Sequence, residues 1–136
     1  MKGNAKKVKD EIVKPTLQYL VLCDAVSMPD QRGKVSFIGV FDKFLRLGII
    51  PHFAIAVGWK NGKGNFKFNI KLLDPELNLL FETPEMELPL THETQAAPAY
   101  LSIDGMNFAK PGVYWIEVLL DNESVQSIPL PVEKSI

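Results

Sequence analysis

Residues able to do chemistry are few in this chain of 136. They are two histidines (His52 and His92), one cysteine (Cys23), and aspartates scattered through its turns. Acyl transfer needs a nucleophile, a base and an orienting group that converge in space. Neither histidine stands in a recognised catalytic motif, and no G-x-S-x-G elbow occurs. Cys23 lies inside the most apolar stretch of the chain, where a thiol serves as a small hydrophobe. His52 follows Pro51 at the start of a strand pattern and reads as a partly exposed structural residue. No catalytic residue is assigned, and the chain is expected not to be an enzyme.

Oxygen ligands for a metal are the next chemistry. Asp24, Asp30, Asp42, Asp74, Asp104 and Asp121 stand at positions that could gather at the ends of a β-sandwich. Calcium takes six to eight oxygens, and neither D-x-D-x-D nor EF-hand spacing is present. Turns also favour aspartate for conformational reasons alone. If one pair is singled out it is Asp24 with Asp42, which flank two neighbouring strand patterns; no metal or other cofactor is required by the sequence. The glycines of Gly58-x-x-x-Gly62-x-Gly64 lack the following helix that would present its N-terminus to a phosphate. Lys60, Lys63, Lys67 and Lys71 form a solvated face rather than a nucleic-acid footprint, because the aromatic residues among them alternate inward.

The elements that would position these residues are strands. Phe66, Phe68, Ile70 and Leu72 interleave with Asn65, Lys67, Asn69 and Lys71, a period of two with one apolar and one wet face. Phe53, Ile55, Val57 and Trp59 alternate with Ala54, Ala56 and Gly58, a small-residue face on which a loop or another chain could pack. Asn61-Gly62 between these two runs predicts a hairpin. Tyr114, Ile116, Val118 and Leu120 alternate likewise, and Asp121-Asn122 turns the chain into a last strand whose Pro129 and Pro131 mark an edge. Trp115 alternates to the face opposite Tyr114, either as an exposed stacking platform or packed against the second sheet, in the core or at an interface. Leu17–Val26 is apolar at nearly every position, as a central strand would be. About eight short strands predict an all-β antiparallel sandwich, immunoglobulin-like or C2-like, with a closed barrel as the alternative. Pro111-Gly112-Val113-Tyr114 resembles the tyrosine corner of immunoglobulin-like domains, with Ile116 at the inward position that often carries cysteine.

The length suits one domain, and a hydrophobic fraction of 46% suits a packed core. A lone cysteine excludes an intrachain disulfide and any multi-cysteine zinc site. No stretch approaches the ~20 apolar residues of a membrane span. The N-terminus lacks a secretion signal's apolar core, so the expected compartment is the cytoplasm. The net charge of −1 hides a split: residues 1–14 hold five lysines against Asp10 and Glu11, a net +3, leaving −4 elsewhere. The expected organisation is a basic N-terminal arm at residues 1–15, flexible or a short helix, a sandwich at 16–132 and a short tail at 133–136. The acidic run Glu82, Glu85, Glu87 and Glu93 could complement that arm, in the same or a neighbouring subunit, at ~0–1 kcal/mol per surface pair.

Leu22-Cys23-Asp24, a polar turn with Gly33-Lys34, and Phe37-Ile38-Gly39-Val40-Phe41-Asp42 resemble a family of small bacterial proteins of unknown function. The resemblance extends to Asp74-Pro75-Glu76-Leu77-Asn78, to Phe108 with Pro111, Gly112 and Tyr114, and to Leu130 with Val132. It implies a compact β-sandwich over Thr16 to Val132 with no established activity, and it transfers no catalytic or ligand residue. Its motifs, with Gly39, Phe41, Pro111, Gly112 and Tyr114 as structural signature, are those of turns and core. The expected role is protein interaction or self-assembly through a protein partner or a second copy, without nucleic acid, membrane or small molecule. Trp115, Ala54, Ala56 and Gly58 are the candidate contacts. A module binding carbohydrate or calcium through its end loops is the alternative.

Overall fold

The computed structural model describes residues 11–134, and the alternating segments become nine strands. These are β1 (Thr16–Ser27), β2 (Ser36–Phe41), β3 (Gly48–Lys60), β4 (Gly64–Leu73), β5 (Leu79–Glu82), β6 (Met86–Leu90), β7 (Ala97–Phe108), β8 (Gly112–Leu120) and β9 (Glu123–Val132). One sheet has the order β2-β1-β3-β7; the other has β5-β4-β8-β9, with β6 also on β4. All strand pairs are antiparallel. β5 and β6 occupy one edge of β4 in succession. Thr83 holds the break between them: its N–H donates to the Ile70 carbonyl and its Oγ1 accepts from the Ile70 N–H, both at 2.9 Å. Proline at 84 then keeps the chain from continuing as one ladder.

Two open sheets face each other, so the fold is a sandwich and not a closed barrel. Phe53, Ile55, Val57 and Trp59 from β3 meet Phe66, Phe68, Ile70 and Leu72 from β4 across the core, all at most 7% exposed. Burial of apolar area on this scale is the dominant stabilising contribution. This opposition corrects the expected hairpin: β3 and β4 never pair, and Asn61-Gly62 carries the chain from one sheet to the other. Lys63 exchanges both backbone hydrogen bonds with Val13, and a Cβ at Gly62 would meet Pro15 and Leu90. A partner for the turn thus comes from the segment before β1, inside the arm expected over residues 1–15. Residues 1–10, with the first four of the arm's lysines, lie outside the described residues. In contrast, Asp121-Asn122 does form a two-residue hairpin between β8 and β9, with both residues at positive φ (48° and 67°).

β7 runs unbroken from Ala97 to Phe108, and Gly105 takes a φ of +68° within it. Prolines 89, 98, 129 and 131 all fall on the edge strands β6, β7 and β9, where a missing N–H breaks no central ladder. No helix among the described residues is long and apolar enough to cross a membrane.

The aromatic corner forms as expected. Tyr114 Oη donates to the Lys110 carbonyl at 2.8 Å, and the Lys110 N–H returns to the same oxygen at 3.4 Å. Gly112 (φ +143°) lies against Pro75, whose Cγ would stand 2.7 Å from a Cβ there. The Lys110 ammonium pairs with Glu76 and lies 3.8 Å from Asp74, so the corner clamps the β4–β5 turn. Removing only the hydroxyl with Tyr114→Phe is expected to cost about 1 kcal/mol in urea unfolding. No change in midpoint would mean the corner contributes packing alone.

Asp74 is the polar hub of that turn. Its Oδ1 accepts the N–H groups of Asn78 (2.8 Å) and Glu76 (2.9 Å), while Oδ2 accepts from Asn78 Nδ2. The Asn78 N–H, helped by these other donors and Lys110, holds the carboxyl below the ordinary carboxylate range. A depressed folded-state value stabilises the fold above the unfolded value, near pH 4. That stability is lost as pH falls toward the folded value. Asp74→Asn should therefore flatten the loss of stability below about pH 4. An unchanged acid limb in a pH series of thermal melts would contradict this.

Candidate functional site

Strand lengths create an opening that neither sheet closes. β1 has 12 residues and β2 only 6, and the ladder between them covers Leu22 to Ser27 alone. Leu17–Val21 therefore pairs with β3 on one side and, among the described residues, with nothing on the other. β9 likewise pairs only with β8 until its end. There Phe44, beyond β2, donates to the Pro131 carbonyl (3.0 Å) and accepts from the Glu133 N–H (2.8 Å).

Between these free edges runs a groove. At one end it is lined by Leu17, Gln18, Tyr19, Leu20, Gln126 and Ile128, with a volume of about 220 Å³. It continues past Leu20 and Ile128 into a stretch of about 180 Å³ bounded by Leu22, Phe41, Asp42 and Pro129. Asp42 and Pro129 then lead to a mouth at Lys43, Pro131 and Glu133, where Lys43 Nζ lies 3.7 Å from Glu133. Leu17, Leu20, Phe41, Val125 and Ile128 pack on the core yet stay partly exposed, so the seam exposes the core itself.

Chain direction fixes what β9 offers. Backbone groups alternate sides along a strand. The Pro131 carbonyl and the Glu133 N–H both point at Phe44, so Pro129 points into the seam as well. Both positions lack the N–H that would have faced the groove. β9 therefore offers only carbonyl acceptors at 129 and 131, Ser127 keeps the one N–H on that side between 127 and 131, and β1 from Leu17 to Val21 keeps every N–H.

A wider cleft of about 610 Å³ adjoins, lined by Asp24, Gly39, Val40, Phe41, Lys43, Phe44, Leu45 and Arg46. Gly39 needs to be glycine: its φ is +68°, and a Cβ there would collide with the Asp24 carboxylate. Phe41 stacks 4.7 Å from Phe44, which in turn lies 5.0 Å from Phe108, and Phe108 meets Tyr114 at 5.1 Å. Two signature positions, Phe41 and Tyr114, thereby join Phe44 and Phe108 in one aromatic seam closing this end.

The remaining sequence candidates fall elsewhere. Asp24 and Asp42 line different clefts, and no group of three or more His, Cys, Asp or Glu able to hold a metal occurs among the described residues. Ala54 and Ala56 are 3% and 0% exposed, and Gly58 lies beneath the Tyr19 ring. Phe37 stands 6.0 Å from Tyr19 and 6.3 Å from Tyr100, completing an aromatic cover over that face. The chain's own side chains thus take the space another chain was expected to use. Burial and the neighbouring Tyr100 raise the pKa of Tyr19. Cys23 is wholly buried, and burial pushes its thiol up, away from the reactive thiolate. His52 is exposed within β3 rather than at its start, and its Nδ1 lies 2.6 Å from Asp104 Oδ1 on β7.

Trp115 does alternate to the outer face of its sheet, half-buried, in register with Leu73 on β4 and Pro129 on β9. Leu79 extends this apolar row onto β5, and Val113 lies beside it. The groove residues Gln18, Leu20, Gln126 and Ile128 were missed by sequence reasoning. Their signal was a long first strand beside a short second one, with two prolines on the facing edge.

A search of curated proteins finds no match to the chain. Residues 18–133, from within β1 to just past β9, match the family of unknown function DUF6941, and the chain belongs to that family.

Proposed function

We infer that the protein is a non-enzymatic interaction module that receives a partner protein in the groove between β1 and β9. One observation carries this: partly exposed residues packed on the core line a seam between two strand edges that have no partner there among the described residues. Strand edges left without a partner are templates for pairing with another chain. The Tyr114–Lys110 corner, with β1-β3-β7 facing β4-β8-β9, supports an immunoglobulin-like reading of the sandwich. A lone buried thiol fits a reducing compartment such as the cytoplasm.

A photo-crosslinking residue at Gln126, in cells of the native host, tests the reading against the same residue at the distant, exposed Thr94. A discrete adduct from position 126 and none from position 94 is expected. Equal labelling from both, or none from either, would sink it.

The apolar row Leu79–Leu73–Trp115–Pro129 favours a second reading, self-association of the outer face of that sheet. It predicts a dimer by size exclusion with light scattering, converted to monomer by Trp115→Lys. A strict monomer at high micromolar concentration would remove it.

A further inference from the structure

We propose that the groove takes its ligand as an added β-strand: an extended, uncharged partner segment with alternating apolar side chains, hydrogen-bonded to the free edge of β1. This rests on the reading of the groove as the binding site and adds the manner and chemistry of binding.

Three features of the seam select that ligand. First, Leu17–Val21 presents an edge that is unpaired among the described residues, on a strand whose continuation, Leu22–Ser27, is already paired by β2 on the same side. An incoming strand would occupy the sheet position that β2 vacates at Asp42. It would thereby extend the sheet as strand-addition complexes do. Second, β9 lacks N–H groups at 129 and 131 and keeps only that of Ser127 on this side, so it offers the ligand's backbone fewer donors than β1, and the fuller ladder forms with β1. These prolines also explain why β9 does not itself close onto β1. Third, the walls carry no charge: neither Leu17–Cys23 nor Val125–Val132 contains an acidic or basic residue. A charged segment would lose hydration there without a partner. Charges appear only at the mouth, where Asp42, Lys43 and Glu133 sit. Alternate side chains of the ligand would then fill the gaps beside Leu20, Phe41 and Ile128, and the others would face solvent.

The test begins with a displayed library of random linear peptides panned on the full chain. Enriched sequences should be uncharged with apolar residues at alternate positions. Replacing single ligand amides by N-methyl amides should weaken binding about tenfold at every second position and little at those between. Binding should also fall with Gln126→Arg, an exposed change that leaves the core untouched.

Absence of enrichment, charged or helical consensus sequences, or indifference to N-methylation would each overturn strand addition. Crosslinking at Gln126 together with indifference to N-methylation would leave the groove as the site and refute only the strand mode. Loss of the crosslink would refute the underlying reading.

Discussion

Trp59→Ala is expected to remove about 3–5 kcal/mol of stability, a large part of what a domain of this size possesses. Trp59 is 1% exposed near the end of β3, and its ring lies 5.6 Å from Phe68 on the opposing sheet. It is among the largest wholly buried side chains, and its removal leaves a cavity where the two sheets meet after the Asn61-Gly62 crossover. Its indole N–H has no hydrogen-bond partner among the described residues. Trp59→Phe should cost much less than Trp59→Ala, because the phenyl ring fills much of the space that alanine leaves empty, while both variants lose the unpaired donor alike. Urea unfolding of both variants checks the pair. Equal costs would show that the volume filled at this position does not set the stability.

Binding at the seam yields the second large effect. Ile128 pairs with Ile116 in the ladder and points inward, yet stays half exposed where the groove passes between Leu20 and Phe41. Ile128→Glu places a carboxylate in an uncharged channel, and partner binding should fall at least a hundredfold. That corresponds to about 2.7 kcal/mol, within the cost of burying an uncompensated polar group. Some loss of fold stability accompanies a charge at a half-buried site. Gln126→Arg, fully on the rim, separates the two effects: it should weaken binding while leaving the thermal midpoint unchanged. Retained binding in both variants would move the site elsewhere.

Much of this architecture was legible in residue alternation. Phe66 to Leu72 and Tyr114 to Leu120 fix their inward faces without reference to any neighbour, since a pleat leaves only two sides. The Asp121-Asn122 hairpin and the Tyr114 corner are equally local. Asn61-Gly62 misled because its turn preference says that the chain reverses, not whether the following strand stays in the same sheet. That choice belongs to Val13, Pro15 and Leu90, which are distant or non-adjacent in sequence. The small face of β3 misled for a related reason: Ala54, Ala56 and Gly58 do permit close approach, but Tyr19 from the same chain makes it. The groove was hidden because it depends on two edges not meeting, and no local pattern encodes the space between β1 and β9. Only the prolines at 129 and 131 hinted that this edge is kept from pairing.

Amide hydrogen exchange along Leu17–Val21, followed by NMR with and without a selected peptide, tests the central claim most directly. In the free protein, amides directed at β3 should be protected and the alternate ones should exchange like solvent-exposed groups. Adding the peptide should slow that second set selectively, with little change in β7. Full protection of the segment in the free chain would mean its own residues already fill the slot. Unchanged exchange with the peptide bound would mean that no strand is added at β1.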